Sequence, residues 1–204
     1  MIVWMTVAAW AGDPCAEPEA VLAERSAHVK QLYDEGEEEA ADRKAAAVSV
    51  LARDLERVDE MSRIDQKGWL CSATDKWLAS WVLLRADDLS TIQRGRELAI
   101  ETMEAHDPRG AWLVAFAHDR VQVVQGRKQT YGSQTHTNFE GQACLVQIDD
   151  QATDADRVRY GHPTLAERYR QILDRAGFTS DVATLDRVER RGLYCAPPPP
   201  IRRK

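Results

Sequence analysis

The run Ala111-Trp112-Leu113-Val114-Ala115-Phe116-Ala117-His118-Asp119-Arg120, continued by Val121-Gln122-Val123-Val124, Gln125-Gly126-Arg127-Lys128 and Gln129-Thr130-Tyr131-Gly132-Ser133-Gln134, decides the fold. Its first part carries Trp112, Leu113 and Phe116 at helical spacing. Asp107-Pro108 just before it supplies a cap and a first-turn proline. After Arg120 the pattern changes. Val121 to Val124, the glycine-containing turn and Gln129 to Ser133 predict strand, tight turn and strand, and Ala143 to Ile148 predicts a further strand.

Upstream, the chain predicts helices. Val21, Leu22, Val29 and Leu32 fit one from Pro18 to Tyr33, which Gly36 interrupts. Ala41, Lys44, Val48, Leu51, Leu55 and Val58 form a stripe on a second, from about Glu37 to about Arg63. Glu38, Arg43, Arg53, Glu56 and Arg57 make its solvated face. Gly68 ends that run, and Ser72 or Thr74 caps a third helix with Trp77, Leu78, Trp81, Val82 and Leu84. Asp87, Asp88 and Ser90 lead into a fourth with Ile92, Leu98, Ala99 and Met103. Asp154 caps a short helix, and Pro163 opens a last one holding Leu165, Tyr169, Ile172 and Leu173. The expected class is α+β: a mostly helical single domain with a small antiparallel β-sheet following the fifth helix.

Residues 17–191 form that domain, between an apolar leader and linker (1–16) and a Pro-rich basic tail (192–204). A length of 204 residues permits a substantial core, and 44% hydrophobic with 29% charged residues is ordinary for a globular protein. The net charge of -6 argues against a nucleic-acid groove. Met1 to Ala11 resembles the apolar core and cleavage site of a secretory signal, although a positive leading segment is missing. Export to the periplasm or medium is the favoured expectation and a cytoplasmic start the alternative. Eleven residues are too few to span a bilayer, so no stable membrane insertion is expected once the leader is removed. Cys15, Cys71, Cys144 and Cys195 show no metal-ligand spacing, and neither a metal nor a cofactor is expected. Four buried thiols or two disulfides are compatible with them. If export holds, Cys15–Cys195 and Cys71–Cys144 are the favoured pairs.

The chain resembles an uncharacterised bacterial family, domain of unknown function 6624, over about Glu37 to Leu173. The resemblance rests on Asp65-Gln66, Gly68-Trp69, Ala86-Asp87-Asp88 with Gln93, Asp119-Arg120-Val121, Gly126 with the Gln-x-Tyr-Gly-Thr/Ser-Gln element at 129–134, and Asp156-Arg157 with Gly161. It implies no activity, but it directs attention to these residues. Where the family pattern often has Gln-His, this chain has Leu84-Arg85, a permanent cation in place of a titrating group.

The leading functional expectation is a polar pocket for a small anionic or amide-bearing ligand. Arg85, Arg120, Gln129, Tyr131 and Gln134 would bind it, with Asp65 and Asp119 as candidate catalytic carboxylates of a hydrolase or transferase. Glycine 132 is expected at a positive φ. The alternative is a non-catalytic module that binds another protein, in which the same polar residues brace a helix–hairpin junction. The sequence leaves open whether the protein is an enzyme.

Overall fold

A computed structural model describes residues 13–41, 47–137, 143–149, 151–175 and 194–195. Five helices come first: α1 (Glu19–Ala41), α2 (Ala47–Gln66), α3 (Ala73–Leu83), α4 (Leu89–Glu104) and α5 (Gly110–Val124). Strands β1 (Thr135–Thr137) and β2 (Ala143–Val146) follow, then α6 (Asp154–Arg159), α7 (Leu165–Arg175) and β3 (Tyr194–Cys195). The strand order is β1-β2-β3. β1 runs antiparallel to β2, with His136 opposite Cys144, and β3 runs parallel to β2. The α+β class and the small sheet after the fifth helix hold. The third strand adds a parallel pair to them.

The local signals that set helix ends are conventional. Ser72 caps α3 in a reciprocal box with Asp75, and Asp88 caps α4 by accepting from Thr91 N. At the end of α2, Gly68 N donates to Asp65 O and Trp69 N to Ile64 O, with Gly68 at φ +70. That is a Schellman stop, in which glycine takes the left-handed position. Two other caps differ from expectation. α5 begins at Gly110 with Arg109 as its cap residue, because the Asp107 carboxylate holds Arg109 through both its backbone N and its guanidinium. Thr153, one residue before Asp154, caps α6 in a box with Asp156.

The larger correction concerns Val121 to Val124. These residues are the last turn of α5, and no hairpin forms at 121–133. Val123 and Val124 are buried beside the row Leu113 and Ala117, so tertiary burial outweighs the β-preference of valine. The helix then stops at Gly126: Gly126 N bonds Val123 O and Arg127 N bonds Gln122 O. Of the expected second strand only the bridge between Gln129 and Ile148 remains.

The α1/α2 boundary also moves. α1 runs through Gly36 to Ala41. A side chain at Gly36 would place its Cβ 2.6 Å from Arg85 Nη1, so glycine here makes room for a guanidinium. On α2 the buried face is Arg57, Val58, Met61 and Ile64, while Leu51 is 56% exposed. Arg57, expected on the solvated face, is only 6% exposed and is paired with Glu39 (2.8 Å) and Asp54 (2.8 Å). Its stem lies against the core while the charge is matched locally.

The main core lies between α1 and α5 and centres on Val29, Met61, Ile64, Leu83, Ile92, Leu98 and Leu113. A second cluster of Leu145, Tyr169 and Ile172 packs α7 on β2. A disulfide joins Cys15 to Cys71 and fastens the segment before α1 to the loop before α3. Cys144 is also disulfide-bonded. The expected pairs Cys15–Cys195 and Cys71–Cys144 are therefore overturned. The reason is that the residues before α1 run along the α2–α3 loop, where Arg25 donates to Pro14 O at 2.7 Å and Pro14 lies against Gly68. No described cysteine is free. Among the described residues no helix is long and apolar enough to cross a membrane.

Candidate functional site

The segment Gln129 to Gln134 is held from two sides. Asp119, fully buried on α5, turns its carboxylate toward the loop. Its Oδ1 accepts from Thr130 N (2.7 Å) and Tyr131 N (2.9 Å), and its Oδ2 from Ser133 N and Ser133 Oγ (both 2.9 Å). Converging backbone N–H groups are a natural nest for an anion, and here the anion is the protein's own side chain. On the other side Arg168 of α7 donates to Gly132 O (2.9 Å) and Ser133 O (2.8 Å), and Arg157 of α6 to Thr130 O (3.4 Å).

Gln129 completes the brace. Its buried amide donates to Gln134 O (2.9 Å) and Val146 O (2.6 Å) and accepts from Gln134 N (2.7 Å). Its backbone bonds Gln147 and Asp149 on the neighbouring segment. One glutamine thus supplies the donors and acceptor that a strand would otherwise provide, which keeps buried backbone paired.

Gly132 has φ +79, the left-handed value expected from its place between a polar turn and a strand. A Cβ there would also lie 3.0 Å from Ile148 Cδ1. Gly132→Val is expected to cost more than about 1 kcal/mol and to disturb Tyr131 and Gln134 together. Urea unfolding measures the cost; a loss below half that value contradicts the assignment.

What faces outward from this brace is a cleft of about 270 Å³ lined by Trp81, Leu84, Arg85, Phe116, Arg120 and Gln134. Arg120 Nε donates to Leu84 O (3.0 Å) and Nη2 lies 3.5 Å from Ala86 O. These are carbonyls at the C-terminal end of α3, where a cation is favoured by the helix dipole. No described carboxylate pairs with Arg120, and burial pushes its guanidinium below the ordinary arginine value. Arg85 differs: it pairs with Glu37 and with Asp54 (3.3 Å). Gln134 Nε2 is turned to Phe116 O (3.4 Å) and Ser133 Oγ (3.1 Å). Trp81 donates Nε1 to Glu37 at 2.8 Å, and its ring lies 4.9 Å from that of Phe116.

The seven expected site residues therefore separate into four places. Arg85, Arg120 and Gln134 share the cleft. Asp119 and Gln129 lie behind it, bonded to the loop. Asp65 belongs to a different cleft, of about 320 Å³, with Ser62, Ser90 and Thr91. There the Arg94 guanidinium grips both Asp65 oxygens (2.8 and 2.9 Å), and this carboxylate pushes Arg94 upward. Tyr131 sits in an aromatic group, 5.6 Å from His118, 5.1 Å from Tyr160 and 6.4 Å from His162. Burial raises its phenol, with Tyr160 contributing. Among the described residues no group of three His, Cys, Asp or Glu side chains is placed to hold a metal.

Sequence reasoning missed Trp81, Phe116, His162 and Arg168. The spacing of the two rings marks them only as helix-packing residues, and the role of Arg168 depends on α7 reaching the loop. His162 stacks on Trp112 and its Nε2 meets Trp112 O at 3.0 Å. His118 Nε2 lies 3.1 Å from Thr130 Oγ1. Burial lowers the pKa of both imidazoles from 6.5.

A lowered histidine means that the unfolded chain takes up the proton first. The contribution of the neutral rings is thus complete above about pH 6.5 and declines as pH falls below it. Urea midpoints are expected to drop between pH 7.5 and 5.5, and to drop less in His162→Phe. An equal drop in both proteins contradicts this.

No family profile, curated protein or solved structure matches this chain.

Proposed function

We propose that the cleft between α3, α5 and the braced loop binds a small anion that carries an apolar body. The observation that supports this most is Arg120, a largely desolvated guanidinium held by two carbonyls, with no described carboxylate beside it and aromatic walls opposite. Such a cation gains most from an arriving carboxylate or phosphate, because charge-assisted bonds strengthen where water is scarce. Trp81 and Phe116 supply the apolar surface that small-molecule sites use around a few polar groups. The described lining offers guanidinium, amide and aromatic groups, with no nucleophile or free carboxylate among them, so the reading is a binding site. Hydrolase or transferase chemistry gains no support from Asp65 or Asp119, whose oxygens serve Arg94 and the loop.

We also propose that the family resemblance reflects this brace, since Asp119, Gln129, Gly132 and Gln134 are the residues that build it. Export remains the favoured location, because the Cys15–Cys71 disulfide suits an oxidising compartment.

Arg120→Lys tests the reading. It keeps the charge and loses the planar fork. The variant is expected to lose about 1 kcal/mol through the weakened carbonyl contacts. It should also lose most of the thermal stabilisation that carboxylates or phosphates give the parent protein. If neither protein responds to any anion in the panel, the site does not bind anions.

A further inference from the structure

The anion reading leaves the side-chain oxygen of Gln134 unused. Gln134 spends its Nε2 on Phe116 O and Ser133 Oγ, and its Oε1 accepts from no described group. The side chain is 9% exposed and lines the cleft. Its orientation is imposed from behind, since its backbone N is held by Gln129 Oε1 and its backbone O by Gln129 Nε2. With its amide nitrogen already engaged, a glutamine that lines a cleft offers its carbonyl oxygen as an acceptor for a donor from the ligand.

The charges restrict what that donor can be. Two guanidinium groups, Arg85 and Arg120, line the cleft, and no described lining residue is a carboxylate. Glu37 and Asp54 are both turned to Arg85, and Glu37 also accepts from Trp81. An ammonium would meet the like charge of Arg120 there, whereas a neutral N–H would not. The volume of about 270 Å³ limits the ligand to one modest side chain beside its polar groups.

Resting on the anion reading above, we propose that the ligand is an N-acylated α-amino acid with an apolar side chain. Its carboxylate meets Arg120, its amide N–H donates to Gln134 Oε1, and its side chain lies against Trp81 and Phe116. The same chemistry occurs in a free N-acyl amino acid and at the C-terminus of a peptide. Rejection of the free zwitterion follows from the charge of Arg120, and rejection of esters and amides from the need for the anion.

Calorimetric titration of the full chain with four compounds tests this. N-acetylphenylalanine carries anion, N–H and ring; 3-phenylpropionate lacks the N–H; phenylalanine carries an ammonium; N-acetylphenylalaninamide lacks the anion. N-acetylphenylalanine is expected to bind about tenfold more tightly than 3-phenylpropionate, the worth of one hydrogen bond. Phenylalanine and the amide should bind more weakly than either. Gln134→Met should bring N-acetylphenylalanine and 3-phenylpropionate to equal affinity. If the two bind the parent protein equally, the amide contact is wrong and the anion site stands. If neither binds, both readings fall. An acetylated tetrapeptide ending in phenylalanine separates the sources: binding equal to the single residue indicates a peptide terminus, and loss of binding indicates the free acid.

Discussion

Asp119→Ala is expected to lose at least about 3 kcal/mol of stability, because it strands three backbone N–H groups and a hydroxyl that lie inside the protein. The carboxylate is fully buried, so water cannot replace it without opening the structure. Asp119→Asn should recover only part of this. Its amide fits the space but turns an NH2 toward groups that are themselves donors. Urea denaturation of the three proteins measures the difference. A loss below about 1 kcal/mol for the alanine variant would mean that the loop holds its shape without the nest.

Removing the Cys15–Cys71 bond is the second large effect. The two cysteines are separated by 56 residues, and chain-entropy arguments put the closure of such a loop at about 4 kcal/mol. The expected loss for the double variant Cys15→Ala, Cys71→Ala is about 2–4 kcal/mol. The discount arises because Arg25 to Pro14 O and Ser26 to Asp75 still hold the beginning of α1 near the α2–α3 loop. The double variant is a cleaner test than reduction, which would also cut the disulfide of Cys144. A melting temperature equal to that of the parent would show that these polar contacts suffice alone.

The helices were legible in the sequence wherever a local signal and the apolar period agreed. Gly68, the Ser72 cap and the Asp88 cap are examples. Local reading failed where tertiary burial reversed propensity. Val121 to Val124 carry a strand preference, yet they extend α5 because Val123 and Val124 have the core beneath them. Gly36 carries a helix-breaking preference, yet it lies inside α1 because a guanidinium needs the space.

The motif 129–134 was recognised as special for a reason only half legible. A dense set of polar residues beside an apolar run must pair with itself or with a ligand. Asp119 and Gln129 pair with the loop itself, while Arg120 and Gln134 line the cleft. Alternation along the chain cannot separate those roles. The deciding partners, Leu84 O, Phe116 O and Arg168, lie on other elements.

The grip on residues 129–134 has a consequence for how the molecule comes apart. Asp119 belongs to the helical layer, while Gln129 is stitched to the β2 side through Val146 and Ile148. Arg157 and Arg168 reach the same few peptide groups from α6 and α7. These six residues act as a keystone: neither the helical layer nor the sheet with α7 can separate without breaking bonds there. Amide protons at Thr130, Tyr131, Ser133 and Gln134 are therefore guarded by tertiary structure, and their exchange with solvent reports the parting of the two layers.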